Sequence, residues 1–171
     1  MGVVDIPFNI VLVEPEIPQN TGNIARTCAA TGSNLHLVKP LGFSVDDRYL
    51  KRAGLDYWND VNIYYHDSFD SLKQQYPDGT FYYATTKALN SYTDIQYPND
   101  CFLVFGKETA GLPEKLLLQN REYCIRIPMK EQIRSLNLSN SVAVVLFEAL
   151  RQGEFSDFKQ QGNLTGYSWD S

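Results

Sequence analysis

The side chains of this sequence best suited to chemistry fall in three short polar stretches, each at the end of an apolar run. Residues 20–26, NTGNIAR, place two asparagines and an arginine together. Residues 105–113, FGKETAGLP, form a glycine-hinged loop with one carboxylate, Glu108. Residues 126–129, RIPM, lead to residues 134–140, RSLNLSN, where Ser135, Asn137, Ser139 and Asn140 stand directly before an apolar segment. Amides, hydroxyls, a guanidinium and backbone N–H groups hold ligands by hydrogen bonds and fixed charge. Ligands of open α/β proteins bind where strands end and loops begin, so three such loops predict one composite site.

Spacing narrows the chemistry. Gly106 and Gly111 have the GxxxxG spacing of a phosphate-binding loop, but Leu112 and Pro113 stand where that loop requires Lys and Ser/Thr. No GxGxxG follows any predicted strand, so kinase, ATPase and nicotinamide chemistry all lose support. In residues 20–31, Ile24 with Cys28 and Ala25 with Ala29 form an apolar stripe, while Asn23 and Arg26 share another face. Asn20 is a candidate cap for that helix, and Ser139 or Asn140 for the last one. Capping by Ser139 or Asn140 leaves Ser135 and Asn137 unexplained. His36 and His66, in or beside strand-like runs and without metal-ligand spacing, read as structural.

The elements that must position these loops alternate. Strands are expected at 8–13, 35–38, 61–65, 81–84, 102–105 and 124–127. Helices are expected at 20–31, 68–75, just after Pro113 and at 139–152. Such alternation predicts an α/β fold, a mainly parallel sheet with helices on both faces. One domain over residues 1–153 and a loosely attached polar tail over 154–171 account for the whole chain. The run 142–147, VAVVLF, is apolar on every side of a helix, which predicts burial from more than one direction.

Composition fits a soluble globular protein, 43% hydrophobic and 20% charged. No run approaches the roughly 20 apolar residues of a membrane span, and the N-terminal MGVVD lacks a signal peptide's basic region. Cys28, Cys101 and Cys124 are odd in number and form no CxxC, so they read as buried thiols in a cytoplasmic protein without a metal site. A net charge of −5 weighs against nucleic-acid binding. Locally the balance reverses, because residues 39–52 set Lys39, Arg48, Lys51 and Arg52 against Asp46 and Asp47. Tyr49, Tyr57 and Trp58 nearby offer stacking surfaces for single-stranded bases.

In their order and over nearly the full length, these segments resemble the three signature motifs of the SPOUT superfamily of RNA methyltransferases. The chain is most similar to the single-domain tRNA (cytidine/uridine-34)-2′-O-methyltransferases, through EPEIP at 14–18, NTGNI at 20–24, RAGLDY at 52–57, TTK at 85–87 and SLNLSN at 135–140. The resemblance implies a deep C-terminal trefoil knot, which general rules of chain connection would never suggest. It implies methylation of the 2′-hydroxyl of the wobble nucleotide in the anticodon stem-loop of tRNA, with leucine tRNAs as substrates. The same chemistry on ribosomal RNA and a non-catalytic RNA-binding relative are the alternatives.

By the same resemblance, S-adenosylmethionine is held largely by backbone at Ala84, Gly106, Ile127 and Ser135. Asn20, Arg26, Glu108, Ser135 and Asn137 match positions implicated in catalysis or substrate placement. An arginine stays protonated in proteins, so Arg26 is expected to stabilise the developing alkoxide or clamp a phosphate, oriented by Asn20 or Glu108. Arg48, Lys51 and Arg52 are the expected RNA contacts. A homodimer paired through the last helix is expected to bring each cofactor pocket near the partner's first motif.

Overall fold

The structure, a computed structural model, describes residues 7–46 and 48–170. Seven strands form one sheet: β1 Asn9–Val13, β2 Asn34–Val38, β3 Ile63–His66, β4 Phe81–Ala84, β5 Asn90–Ser91, β6 Phe102–Phe105 and β7 Cys124–Arg126. Their order across the sheet is β3-β2-β1-β6-β4-β7-β5, and each neighbouring pair is parallel. Among the described residues, five α-helices supply much of the crossover chain that parallel strands need. They are α1 Pro18–Thr31, α2 Arg48–Trp58, α3 Phe69–Gln75, α4 Glu114–Gln119 and α5 Leu138–Gln152.

Burial on both faces explains the continuous apolar runs read from the sequence. Ile10 and Leu12 of β1 join α1 and α5 in one core, whereas Val11 and Val13 join Leu72 of α3 and Leu117 of α4 in the other. In α5, Val142, Val145, Leu146, Ala149 and Leu150 are buried. Val144 and Phe147 are left 36% and 45% exposed, so the helix is apolar beyond what its own chain covers.

Four expectations need correction. α1 begins at Pro18 with Ile17 as its cap, so Asn20 lies inside the first turn and caps nothing. α5 is capped by Asn137, whose side chain accepts from Ser139 N, and not by Ser139 or Asn140. The charged segment, where no helix was expected, leads into α2, with Leu50 2% exposed. Gly54 in its middle lowers intrinsic helix propensity, and packing along α1 offsets that cost. The chain past Gly153 is not detached at once, since Phe155 and Phe158 pack on the core that holds α5.

His36 and His66 are indeed structural, within a buried polar chain across three strands. Asn9 Nδ2 donates to the Asp100 carbonyl (2.8 Å), so Asn9 Oδ1 is left to accept from Asn34 Nδ2 (3.1 Å) and His36 Nε2 (3.0 Å). His36 therefore carries its proton on Nε2, and its Nδ1 accepts from His66 Nε2 at 2.9 Å. That order leaves His66 Nδ1 an unprotonated nitrogen, buried and without a hydrogen-bond partner among the described residues. Burial, with the neighbouring His66 second, pushes His36 down to about 3, and burial also lowers His66.

An unfolded chain takes up these protons as pH falls through about 6.5, while the folded chain resists. The stability gained by keeping both rings neutral is complete above that pH and is lost progressively as pH falls towards the folded value of about 3 for His36. We expect the urea midpoint to fall between pH 6.5 and 4, with a limiting slope of about 1.4 kcal/mol per pH unit per histidine. Imidazole nitrogen NMR should find His36 neutral at pH 5, and a ring titrating near 6.5 would contradict this network.

Candidate active site

The register of the sheet aligns the strand ends that carry the predicted loops. Leu12 of β1 pairs with Phe105 of β6, Phe105 with Ala84 of β4, and Ala84 with Ile125 of β7. The loops that follow these four strands therefore leave side by side from the carboxyl edge. Together they enclose a cavity of about 590 Å3, within the range of small-molecule sites. Ala84, Gly106, Ile127 and Ser135 all line it, as do Asn20, Glu108 and Asn137.

Glu108 ties the three loops together. Its carboxylate accepts from Glu16 N (2.8 Å), Ile17 N (3.1 Å) and Asn20 Nδ2 (3.3 Å). These donors surround the start of α1, where a negative charge is also favoured by the helix dipole. Glu16 returns the contact, its carboxylate accepting from Thr109 N (3.1 Å) and Thr109 Oγ1 (2.8 Å). Asn20 Oδ1 in turn accepts from Asn137 Nδ2 at 3.1 Å, while Asn137 Oδ1 caps α5. Asn20 and Asn137 thus spend their side chains on a bridge between distant segments, and Glu108 spends its acceptor capacity on backbone and amide donors.

Gly106 is required by the same construction. A Cβ there would lie 2.2 Å from Gly111 C and 2.4 Å from Leu112 N, because the loop folds back on itself. Gly111 N donates to Lys107 O (2.8 Å), and Gly111 itself has φ +67, a left-handed conformation that suits glycine. The buried floor of the cavity is apolar, made by Phe105, Leu112, Ile125 and Val145. Its rim is polar. An apolar floor with a polar rim and a side-chain-free backbone approach fits a nucleoside joined to a charged amino acid.

Arg26 stands apart. It does not line this cavity, and no hydrogen bond joins it to Asn20 or Glu108 among the described residues. Its guanidinium lies 5.0 Å from the centroid of the Tyr57 ring, on the outer side where α1 meets α2. Within the chain, Asn20 and Glu108 make their hydrogen bonds elsewhere and neither orients Arg26. Tyr49 carries Arg48 at 4.9 Å, and Trp58 packs on the core, so the three aromatics expected as free stacking surfaces already have neighbours. Arg48 and Arg52 are exposed on α2; Asp47 and the side chain of Lys51 lie outside the described residues.

Sequence reasoning missed Tyr57 as a partner of Arg26, and Glu16 with Thr109 as half of the clasp. No local spacing signals pairs so far apart in the chain. Cys28 and Cys101 are pushed up to about 12 by burial and supply no thiolate. Among the described residues no cluster of His, Cys, Asp or Glu could hold a metal, and no helix is long and apolar enough to cross a membrane.

A parallel α/β sheet with a composite cavity at its carboxyl edge is the arrangement in which open α/β proteins hold their ligands. The chain belongs to the SpoU rRNA Methylase family, whose model matches residues 7–147. A Methylovorus glucosotrophus relative named tRNA (cytidine(34)-2′-O)-methyltransferase is 49% identical over 150 residues, covering 87% of this chain and 97% of its own. A solved structure described as giving insights into the 2-OH methylation of C/U34 on tRNA is 41% identical, with TM-score 0.83, over 88% of this chain and 99% of that one. An AdoMet-bound rRNA methyltransferase from Sinorhizobium meliloti is 25% identical, with TM-score 0.76, over 88% of this chain but 58% of that one.

Glu108→Gln leaves at least one backbone N–H of Glu16 or Ile17 facing an amide NH2. We expect a loss of about 1–3 kcal/mol in urea unfolding, the usual cost of removing a charged acceptor from hydrogen-bonded donors. Unchanged stability would show that those donors find other acceptors.

Proposed function

We propose that this protein transfers a methyl group from S-adenosylmethionine to the ribose 2′-hydroxyl of nucleotide 34, cytidine or a modified uridine, in the anticodon stem-loop of tRNA. The observation that carries the reading is the meeting of all three predicted loops around one cavity, in a chain that spans 97% of a relative named for that reaction. The longer rRNA methyltransferase is covered over only 58% of its length, which supports a compact stem-loop over ribosomal RNA. A tRNA-modifying role also supports residence in the cytoplasm.

When bound, the cofactor supplies an electrophilic sulfonium methyl. The 2′-oxygen would take that methyl, with the thioether as leaving group, and give up its proton to water or an RNA phosphate. The protein's part is orientation and charge. Glu108, Asn20 and Asn137 hold the three loops in register, so Ser135 and the backbone of Ala84, Gly106 and Ile127 present a fixed surface. Glu108, occupied by three donors, acts by position rather than by removing a proton.

Arg26 is assigned to the alkoxide or an adjacent phosphate, and it serves the cavity of a partner subunit. Two observations support this: Arg26 lies outside its own cavity, and α5 leaves the apolar Val144 and Phe147 36% and 45% exposed. Arg26→Ala should lower single-turnover methylation by on the order of 10² while cofactor affinity holds. Full activity would remove Arg26 from the mechanism. Mass analysis of tRNA nucleosides after incubation with labelled cofactor tests the reaction itself, and labelling of ribosomal RNA alone would favour the alternative substrate.

Val144→Asp places a charge on the exposed apolar face without touching the core. Sedimentation equilibrium should show the dimer split, with methylation lost in step. A wild-type protein that is monomeric at micromolar concentration and fully active would refute a site shared between subunits.

A further inference from the structure

Three cations line the cavity: Lys87, Lys107 and Arg134. Two are already neutralised. Lys87 Nζ lies 2.6 Å from Glu114 Oε1, and Lys107 Nζ lies 3.8 Å from Glu14 Oε2. Arg134 has no ion pair among the described residues. Glu108, the one carboxylate in the lining, is held by its three donors. Among the described residues, the cavity therefore keeps one guanidinium whose charge no carboxylate answers. It stands beside Ser135, on a stretch exposed from Lys130 to Asn137, at the rim and away from the apolar floor.

We propose that Arg134 binds the phosphodiester on the 3′ side of the nucleotide being methylated. The inference rests on the reading of this site as one for ribose 2′-O-methylation. In an internal ribonucleotide, the carbon bearing the 2′-oxygen adjoins the carbon bearing the 3′-phosphodiester. A negative phosphate is thus always close to the oxygen that becomes an alkoxide, and the two charges repel. A guanidinium on that phosphate offsets the repulsion most when the alkoxide develops, which is when it aids the reaction. Arginine's planar fork suits two phosphate oxygens at once, where a lysine offers a single point of charge. The rim position admits a polymer; a contact with the amino-acid end of the cofactor is the competing use of the same charge.

The test pairs Arg134→Gln and Arg134→Lys with two anticodon stem-loop RNAs, one native and one with a single uncharged methylphosphonate 3′ of the target ribose. The target is first mapped with wild-type protein, so an error about nucleotide 34 moves the methylphosphonate and leaves this test intact. If wild-type protein methylates no ribose, the proposed function falls, and this inference with it. We expect wild-type protein to lose on the order of tenfold in kcat/KM on the methylphosphonate RNA, the value of one charge-assisted contact. Arg134→Gln should lose as much on native RNA and then fail to distinguish the two RNAs, with Arg134→Lys recovering part of the difference. The salt dependence of RNA binding should flatten by about 0.7 in slope for the glutamine variant, with cofactor affinity unchanged. Continued discrimination by Arg134→Gln at the wild-type level would overturn the assignment. So would weaker cofactor binding with RNA binding intact, which would place Arg134 on the cofactor carboxylate.

Discussion

One carboxylate holds the site together. Glu108 follows β6 in a turn closed by the Gly111 N to Lys107 O bond, and reaches the two backbone N–H groups just ahead of α1. Charge-assisted bonds of this kind are about twice as strong as neutral ones, and here they act between segments some ninety residues apart. The bond from Asn20 passes the constraint to Asn137, which in turn caps α5. A single chain of hydrogen bonds therefore sets the loop after β1, the loop after β6 and the start of α5 relative to each other. The sheet register brings these segments near; Glu108 decides how they face.

That arrangement also explains why a site can be made largely of residues with unremarkable side chains. Ala84, Gly106 and Ile127 line the cavity at or just past strand ends, where the sheet puts them. Gly106 is the sharpest case, since any Cβ would occupy the path of the returning loop at Gly111 and Leu112. Stability and function are therefore coupled at this edge. A change that loosens the clasp moves every wall of the cavity, without removing any group that touches a ligand.

Much of this was readable in the sequence, for identifiable reasons. Central strands of a doubly covered parallel sheet announce themselves as apolar runs, and β1, β2, β4 and β6 were found within a residue of their ends. The polar loops stood out against those runs. The details that failed were those settled by distant partners. Asn20 and Ser139 both looked like caps, since caps are judged from local order; Asn20 is instead drawn to Glu108 and Asn137. α2 was hidden by its charge and by Gly54, and forms against α1. The match of Ala84, Gly106, Ile127 and Ser135 to one cavity came from the family resemblance, which carries three-dimensional information that spacing lacks. Tyr57 beneath Arg26 could be found only in three dimensions.

Net charge proves a poor guide to what this surface can bind. The chain carries −5 overall, yet long-range repulsion between exposed charges is screened beyond about 8–10 Å in physiological salt. What an approaching phosphate meets is the local inventory. Around the cavity the carboxylates are consumed: Glu108 by backbone donors, Glu16 by Thr109, and Glu14 and Glu114 by lysines. On α2 the exposed Arg48 and Arg52 are one turn apart and share a face. An acidic protein can thus present cations to RNA without a basic composition, provided its carboxylates near the site are already engaged. The same engagement gives selectivity, because the guanidiniums left over are few, so a polyanion must match their positions and gains little from charge alone.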